Sequence, residues 1–218
     1  MLESAKTRPD LLLLLSLLLV ILVYPALDHG EIRRAILGAL FFLPIILASV
    51  RLSQIKRWVW PSLALVLAIF FFSVAATFRP NQVLIATKWG LLAGFFGLTV
   101  TGLFSYVKNA SRISNSHLYT AVSIYLLIGM LWFAVYSAID AFYPGAILHN
   151  SATQDRHTEL LYFSLITLST VGYGDVVPIS GEVRLLAALE GVTGVLYVAI
   201  TVALLVSSYR ARDQSGST

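Results

Sequence analysis

The sequence of 218 residues contains no cysteine and few charged side chains. The lack of cysteine excludes disulfide bonds, thiolate metal sites and cysteine nucleophiles. Charged residues make up 12% of the chain and hydrophobic residues 58%, whereas a soluble domain has roughly 25% charged residues. A chain with so little polar surface cannot cover itself in water, so lipid is its expected solvent. The net charge of +4 does not indicate nucleic acid, because the basic residues lie singly between apolar runs.

Long apolar runs are present where charges are missing. A membrane-spanning helix needs about 20 mostly apolar residues. Six stretches meet this requirement: Asp10–Leu27, Ile32–Val50, Trp58–Thr77, Val83–Val107, His117–Phe142 and Val183–Tyr209. We therefore predict an all-α membrane protein with six transmembrane helices. A signal peptide is the alternative interpretation of the first run, but a good small-residue cleavage site does not follow it.

The distribution of lysine and arginine predicts the orientation of these spans. Nine of the 15 basic residues lie in connectors on the side of the N-terminus, five lie in the alternate connectors, and Lys88 lies within a span. The positive-inside rule therefore places both termini in the cytoplasm of a multi-pass cell-membrane protein. The small amount of sequence outside the spans favours a bacterial inner membrane.

The segment between the fifth and sixth spans, Tyr143–Glu182, is too long for a simple loop and too polar for a span. It contains a short apolar, helix-like run, Leu160–Ser169, for which Asp155 or Thr158 could serve as N-cap. Helices of this length in membrane proteins are usually re-entrant or buried. We therefore expect a short helix here that enters the protein without crossing the membrane.

Two glycines at alternate positions, Gly172 and Gly174, follow this run in the sequence Thr170-Val-Gly-Tyr-Gly-Asp175. Glycine permits φ values that other residues avoid, so successive carbonyl groups here can point in one direction. A row of such oxygens is stable around a cation held between several copies of the chain. The partially negative C-terminal end of the preceding helix also favours a cation. The residues therefore predict a cation pore formed from several chains.

The stretch Leu160–Pro178 resembles the pore helix and selectivity filter of tetrameric, six-transmembrane potassium channels. The resemblance covers roughly residues 113–209, and the preceding residues resemble the family only in having four spans ahead of the pore. It implies a four-helix region over residues 1–112 and a pore domain over residues 113–218. Within the pore domain it implies an outer helix (117–142), a pore helix (158–169), a filter (170–175) and an inner helix (183–209).

The resemblance also implies roles for individual residues. It implies K⁺ sites built from the carbonyl groups of Thr170, Val171, Gly172 and Tyr173, with the Thr170 hydroxyl closing the innermost site. Gly174 and Asp175 then lie at the outer mouth, and Tyr162 and Phe163 support the filter from behind. The expected assembly is a homotetramer in contact with membrane lipids, with K⁺ as permeant ion, no other metal and no cofactor.

Three residues of the inner helix are candidates for control of the pore. Gly194 lies where many relatives have a hinge glycine, and Gly191 is the alternative, although a glycine in a membrane helix is also a frequent packing contact. Glu190 is a carboxyl group in the middle of a span, which by default suggests a function. It is either a proton-linked group bonded to Thr167 or Ser169 behind the filter, or a protonated acid that joins the inner helix to the pore helix.

The fourth span does not predict voltage gating. It contains one basic residue, Lys88, near its outer end, whereas steep voltage gating needs about 3–4 charges per subunit. Opening is therefore expected to depend weakly or not at all on voltage, and a regulatory ligand or subunit is left unidentified. In the outer connector we expect solvated histidines at His149 and His157, and an Arg184 that pairs with Asp175 or Glu182 or extends toward the headgroups.

Three alternative functions stay open at this stage. The first is a nonselective cation channel of the same architecture, and the second is a nonconducting regulatory subunit. The third is an intramembrane aspartyl protease, because Gly172–Asp175 also fits the Gly-x-Gly-Asp pattern of those enzymes. Its second catalytic aspartate would have to be Asp140, which lacks the usual neighbouring tyrosine. We therefore expect a protein that is not an enzyme.

Overall fold

The computed structural model describes residues 2–24, 43–50, 59–109, 114–149 and 155–215. These residues form helices and one short pair of strands. In chain order the elements are α1 (Leu2–Val23), α2 (helical over residues 43–50), α3 (Val59–Phe78), α4 (Gln82–Lys108), α5 (Asn115–Phe142), β1 (Ile147–His149), α6 (Arg156–Leu168), β2 (Val176–Pro178) and α7 (Gly181–Ser215).

Four helices in the described part of the chain are long and apolar enough to cross a membrane: α3, α4, α5 and the Gly181–Leu204 part of α7. The 28 residues of α5 are about 42 Å long, against about 30 Å of bilayer hydrocarbon. α1 contributes a shorter apolar stretch, Pro9–Val23. Most of the second predicted span, Ile32–Val50, lies outside the described residues. The all-α class is confirmed, and the count of six spans stays a prediction.

Polar caps fix the beginnings of two of these helices. The side chain of Asn81 accepts a hydrogen bond from the Val83 N–H at 3.0 Å where α4 begins. The Ser114 N–H donates to Nδ1 of His117 at 3.2 Å where α5 begins. Such caps satisfy backbone groups that the first turn of a helix leaves unpaired. The ends of α3, α4 and α5 agree with the predicted spans to within two residues.

The core is built around α5, which touches α1, α4, α6 and α7. Leu127, Met130 and Phe133 of α5 are fully buried and belong to the same hydrophobic cluster as Phe95 and Phe96 of α4. By contrast, α3 and α7 leave many large apolar side chains exposed. Exposed apolar surface of this extent fits contact with lipid or with another chain.

Two strands connect the region around α6 to the neighbouring helices. β1 pairs with β2 in antiparallel fashion, with Leu148 opposite Val177, and the Ile179 N–H donates to the Ala146 carbonyl at 2.9 Å. Nε of Arg184 donates to the Pro178 carbonyl at 3.2 Å, so the predicted pairing of Arg184 with Asp175 or Glu182 is wrong.

α6 has only 13 residues, about 20 Å, and is too short to cross a membrane.

Candidate functional site

The end of α6 is a Schellman turn with an unusual residue in it. The Thr170 N–H donates to the Thr167 carbonyl at 3.0 Å, and the Val171 N–H donates to the Ile166 carbonyl at 2.9 Å. This pair of bonds terminates a helix when the residue after the C-cap is left-handed, a position that glycine usually occupies. Here Thr170 has that conformation, with φ of 60°. Because threonine is β-branched, it is strained in this region, and such strain is typical of functional sites.

Positive φ values continue at every second residue after Thr170. Gly172 has φ of 51° and Gly174 has φ of 80°, whereas Val171 and Tyr173 between them do not have positive φ. A Cβ added to either glycine meets no atom within 4 Å. The backbone conformation, rather than lack of space, is therefore what requires glycine at these two positions. The alternation agrees with the backbone that the sequence predicts for a row of carbonyl oxygens.

The same residues are exposed in the single chain. The side chains of Val171 and Tyr173 are 52% and 74% exposed, and residues 169–175 are all in the exposed class. An irregular segment without regular backbone pairing, next to a membrane-embedded core, needs water, an ion or another protein chain around it. The segment therefore has a surface that its own chain does not cover.

Tyr162 fixes Asp175, the last residue of this exposed segment. Its hydroxyl donates to Oδ2 of Asp175 at 2.7 Å, and the Val176 N–H donates to Oδ1 at 3.0 Å. The bond from Tyr162 holds the pKa of Asp175 below its ordinary value and raises the pKa of Tyr162 to about 12. Phe163 faces the other way, since it is buried and its ring centroid lies 5.0 Å from that of Tyr136 on α5. Thus Tyr162 contacts Asp175 at the end of the exposed segment, and Phe163 anchors α6 to α5.

Replacing Tyr162 by phenylalanine should remove stability only over a defined pH range. Because the bond lowers the pKa of Asp175, its contribution is complete above the ordinary aspartate pKa of about 3.9 and is lost as the pH falls through the lowered value. Because the pKa of Tyr162 is raised, the contribution is also lost as the pH rises from about 10 toward about 12. Thermal unfolding of both proteins across pH should show a gap that is widest between these limits.

A matched control for this variant is Tyr143→Phe. Tyr143 is 71% exposed. The Tyr143→Phe variant loses a tyrosine hydroxyl group but keeps the bond between Tyr162 and Asp175. Its unfolding temperature should follow that of the wild type at every pH. A difference between wild type and Tyr162→Phe that is constant across the whole pH range would contradict the proposed bond.

An ion pair that the sequence did not indicate joins three elements outside the filter. Arg156, at the start of α6, pairs with Asp140 near the end of α5, and its Nε donates to Oδ2 of Asp140 at 2.8 Å. The same guanidinium group donates to the Ile147 carbonyl of β1 at 3.3 Å. Asp140 and Asp175 therefore have different partners, Arg156 and Tyr162. That arrangement offers no support for the aspartate pair of a protease.

His157 is not the solvated loop residue that the sequence predicted. It lies in the first turn of α6, with its ring centroid 4.9 Å from Trp89 of α4 and 6.4 Å from Phe133 of α5. Burial lowers its pKa. α6 begins at Arg156 with Asp155 as N-cap, one of the two predicted caps, and not at residue 158 as the resemblance implied, so this histidine belongs to the helix. The side chain of His149 lies outside the described part of the structure.

Glu190 lies at a junction of α5, α6 and α7. One carboxylate oxygen is 2.6 Å from the hydroxyl of Tyr136, and the other is 2.6 Å from the hydroxyl of Ser164. The predicted partners, Thr167 and Ser169, are wrong. The sequence analysis did not find Tyr136 on α5, or Ser164 one turn before Thr167 on α6.

Gly194 lets α7 approach the last turn of α6 closely. A Cβ added to Gly194 would lie 2.0 Å from the Leu168 carbonyl oxygen, whereas a Cβ on Gly191 would lie 3.7 Å from the Thr167 carbonyl oxygen. The first distance is impossible without a movement of backbone, and the second is ordinary contact. The structure thus gives Gly194 a packing role at the last turn of α6, directly before the strained Thr170.

No group of three or more His, Asp or Glu side chains that could hold a metal ion occurs among the described residues. The oxygens that residues 170–174 offer to a cation are those of their backbone carbonyl groups and of the Thr170 and Tyr173 hydroxyls. Such ligands suit weakly bound monovalent ions better than the tight coordination of a transition metal.

Comparison with known proteins gives consistent results. Residues 119–211 match a family model described as "Ion channel". "Two pore potassium channel a" from Oryza sativa is 36% identical over 100 residues, which is 46% of this chain and 25% of the relative. "Protein LctB" from Bacillus caldotenax is 33% identical over 122 residues, which is 52% of this chain and 88% of the relative.

A second rice protein, "Two pore potassium channel b", is 41% identical over 75 residues, or 34% of this chain. The chain spans 25% and 19% of the lengths of the two rice channels. No solved structure matches the chain.

Proposed function

This chain belongs to the ion channel family, and from that premise we propose that it is a potassium channel that conducts K⁺ passively through a homotetrameric pore. α6 is then the pore helix, residues 170–175 are the filter and α7 is the inner helix. The carbonyl groups of Thr170, Val171, Gly172 and Tyr173 would bind the ion, with the Thr170 hydroxyl at the innermost site. Gly174 and Asp175 would form the outer mouth.

The observation that carries this proposal is the alternation of positive φ along the filter, at Thr170, Gly172 and Gly174. A backbone that alternates in this way supports a row of carbonyl oxygens on one side. Those oxygens can replace the hydration shell of a cation. The pore helix adds to the attraction, because its C-terminal carbonyls carry a partial negative charge and directly precede Thr170.

Assembly into a tetramer is supported by two exposed surfaces. One chain supplies only one row of oxygens, and its filter is exposed. The inner helix also exposes a continuous set of apolar side chains: Leu185, Leu189, Val192, Val195, Leu196, Val198, Ile200 and Val202. Contacts among four inner helices, with lipid covering the remainder, would bury this surface.

The protein is a multi-pass membrane protein, and we propose a bacterial inner membrane with both termini in the cytoplasm.

Weak voltage dependence is supported by α4, in which Lys88 is the one basic residue before Lys108 at the end of the helix. The ammonium group of Lys88 lies 4.5 Å from the ring centroid of its neighbour Trp89, so the charge already has a partner in the folded chain. One charge that is held in this way cannot supply the gating charge of a steep voltage sensor. The stimulus that opens the pore would then be a regulatory ligand or subunit, which is not yet identified.

Selectivity should be measured as ion flux into liposomes that contain the purified protein. Under a potassium gradient we expect flux well above that under an equal sodium gradient, because Tyr173 and both filter glycines are intact. Tyr173→Ala, which removes the aromatic side chain between Gly172 and Gly174 of the proposed filter, should lower this ratio. Tyr143→Phe, which changes an exposed tyrosine outside the filter, should leave it unchanged.

Equal potassium and sodium fluxes would instead indicate a nonselective cation channel of the same architecture. A tetrameric, folded protein with no flux of either ion over a range of pH and voltage would indicate a nonconducting subunit. These outcomes separate the two alternatives, because the first changes the ratio of fluxes and the second abolishes both.

A further inference from the structure

A buried carboxyl group connects the inner helix with both helices that support the filter. Glu190 is 0% exposed, and its two oxygens lie 2.6 Å from the hydroxyls of Tyr136 and Ser164. Both partners are also fully buried. Glu190 is thus the contact point of α5, α6 and α7. It has no part in ion binding, because the proposed ligands are all in the filter.

The hydrogens available to this cluster can be counted. Oγ of Ser164 lies 2.6 Å from Oε1 of Glu190 and 2.8 Å from the Gly129 carbonyl oxygen. The third close contact is between Tyr136 and Oε2 of Glu190. Three oxygen–oxygen contacts of this length need three hydrogens, and each hydroxyl supplies one. Since the Gly129 carbonyl can only accept, the third hydrogen has to come from Glu190.

Within the part of the chain that the structure describes, Glu190 also has no positive charge beside it that could balance a carboxylate. Among the described residues, the groups that interact with it are Tyr136 and Tyr125 of α5 and Ser164 of α6. None of them is a cation, and the two hydroxyl groups in contact with it are neutral donors. A buried carboxylate in a membrane without a cationic partner is strongly unfavourable, so the neutral acid is the form that suits this site.

We propose that Glu190 is a neutral carboxylic acid that positions the pore helix through a directed chain of hydrogen bonds. Glu190 donates to Ser164, Ser164 donates to the Gly129 carbonyl of α5, and Tyr136 donates to Glu190. The chain connects the inner helix to α6 at Ser164, six residues before Thr170. Its consequence for conduction rests on the proposed function, whereas the position of the proton does not.

Loss of this proton would change the contact between α5 and α6. An ionised Glu190 would accept from Ser164, and Ser164 would then have no hydrogen for the Gly129 carbonyl. One bond between the pore helix and α5 would be lost. Alkaline conditions that remove the proton are therefore expected to loosen the pore helix and lower potassium flux.

The first test is infrared spectroscopy of the protein in liposomes. A protonated carboxyl group has a C=O stretching band, distinct from that of a carboxylate, that shifts on exchange into D₂O. The band of Glu190 should be present in wild type at neutral pH, absent in Glu190→Gln and unchanged in the matched control Glu182→Gln, since Glu182 is an exposed acid on the same helix. In Ser164→Ala, which retains the acid but removes its acceptor, the band should shift.

The second test uses the geometry of glutamine, whose amide donates through nitrogen and accepts through oxygen. Glu190→Gln can keep all three bonds, so its unfolding temperature and potassium flux should match wild type at neutral pH. Its flux should no longer fall under alkaline conditions. Glu190→Ala should lose both stability and flux.

Two results would overturn the proposal. One is the absence of the Glu190 band in wild type at neutral pH. The other is a loss of stability in Glu190→Gln as large as that in Glu190→Ala, because an ionised Glu190 would accept from both hydroxyls and an amide could not. If the wild type and every variant lacked flux while the band was present, the proposed channel function would be wrong and the position of the proton would stand.

Discussion

Gly172→Ala is expected to abolish potassium flux in liposomes while leaving the helices intact. An alanine in the left-handed region costs about 1–2 kcal/mol, and Gly172 has φ of 51°. Four copies in the proposed tetramer would together cost about 4–8 kcal/mol, which shifts the equilibrium away from the conducting filter by a factor of about a thousand or more. Circular dichroism and size-exclusion chromatography should show a folded, assembled protein, because the cost is confined to the filter.

Gly90→Ala is the matched control for this prediction. Gly90 lies inside α4, does not have a positive φ, and a Cβ there meets no atom within 4 Å. Alanine in a helix interior is favoured over glycine by up to about 1 kcal/mol. This variant should therefore conduct as well as the wild type and unfold at the same or a slightly higher temperature. Normal flux in Gly172→Ala would show that the filter does not use the left-handed backbone of the structure.

The parts of the site that the sequence predicted are those fixed by neighbouring residues. The alternate glycines, the short helix before them and the ends of α3, α4 and α5 all depend on local composition. Gly172 and Gly174 have the positive φ values that their residue type permits. The structure extends this pattern to Thr170, which the sequence could not indicate because threonine disfavours that conformation.

The parts that the sequence did not predict depend on how helices are rotated against one another. Glu190 was recognised as unusual, but its partners are determined by which faces of α5 and α6 it meets. The pair formed by Asp140 and Arg156 has no sequence signature, because the two residues belong to different helices. His157 was placed in solvent, and the resemblance implied a start of α6 at residue 158, two residues too late. A small error at a helix boundary thus reversed the predicted environment of one residue.

Gly194→Ala is expected to destabilise the protein by about 1–3 kcal/mol, the usual cost of forcing extra atoms into a packed site. The added Cβ would lie 2.0 Å from the Leu168 carbonyl oxygen and 3.1 Å from a methyl carbon of the same residue. A side chain could rotate away, but the carbonyl belongs to the backbone of the last turn of α6. The inner helix would have to move away from the pore helix beside Thr170. Thermal unfolding of the purified protein, with cross-linking to follow its assembly, would measure the loss.

Gly191→Ala, one turn earlier on the same helix, distinguishes packing from a hinge. Its Cβ would make an ordinary contact at 3.7 Å with the Thr167 carbonyl oxygen, so packing is undisturbed and helix propensity favours alanine. If Gly194 is a packing contact, only Gly194→Ala should lose stability. If Gly194 or Gly191 is instead a hinge, the variant at the hinge should keep its stability and change the fraction of time that the channel is open. Equal stability of wild type and Gly194→Ala would contradict the close approach of α6 and α7.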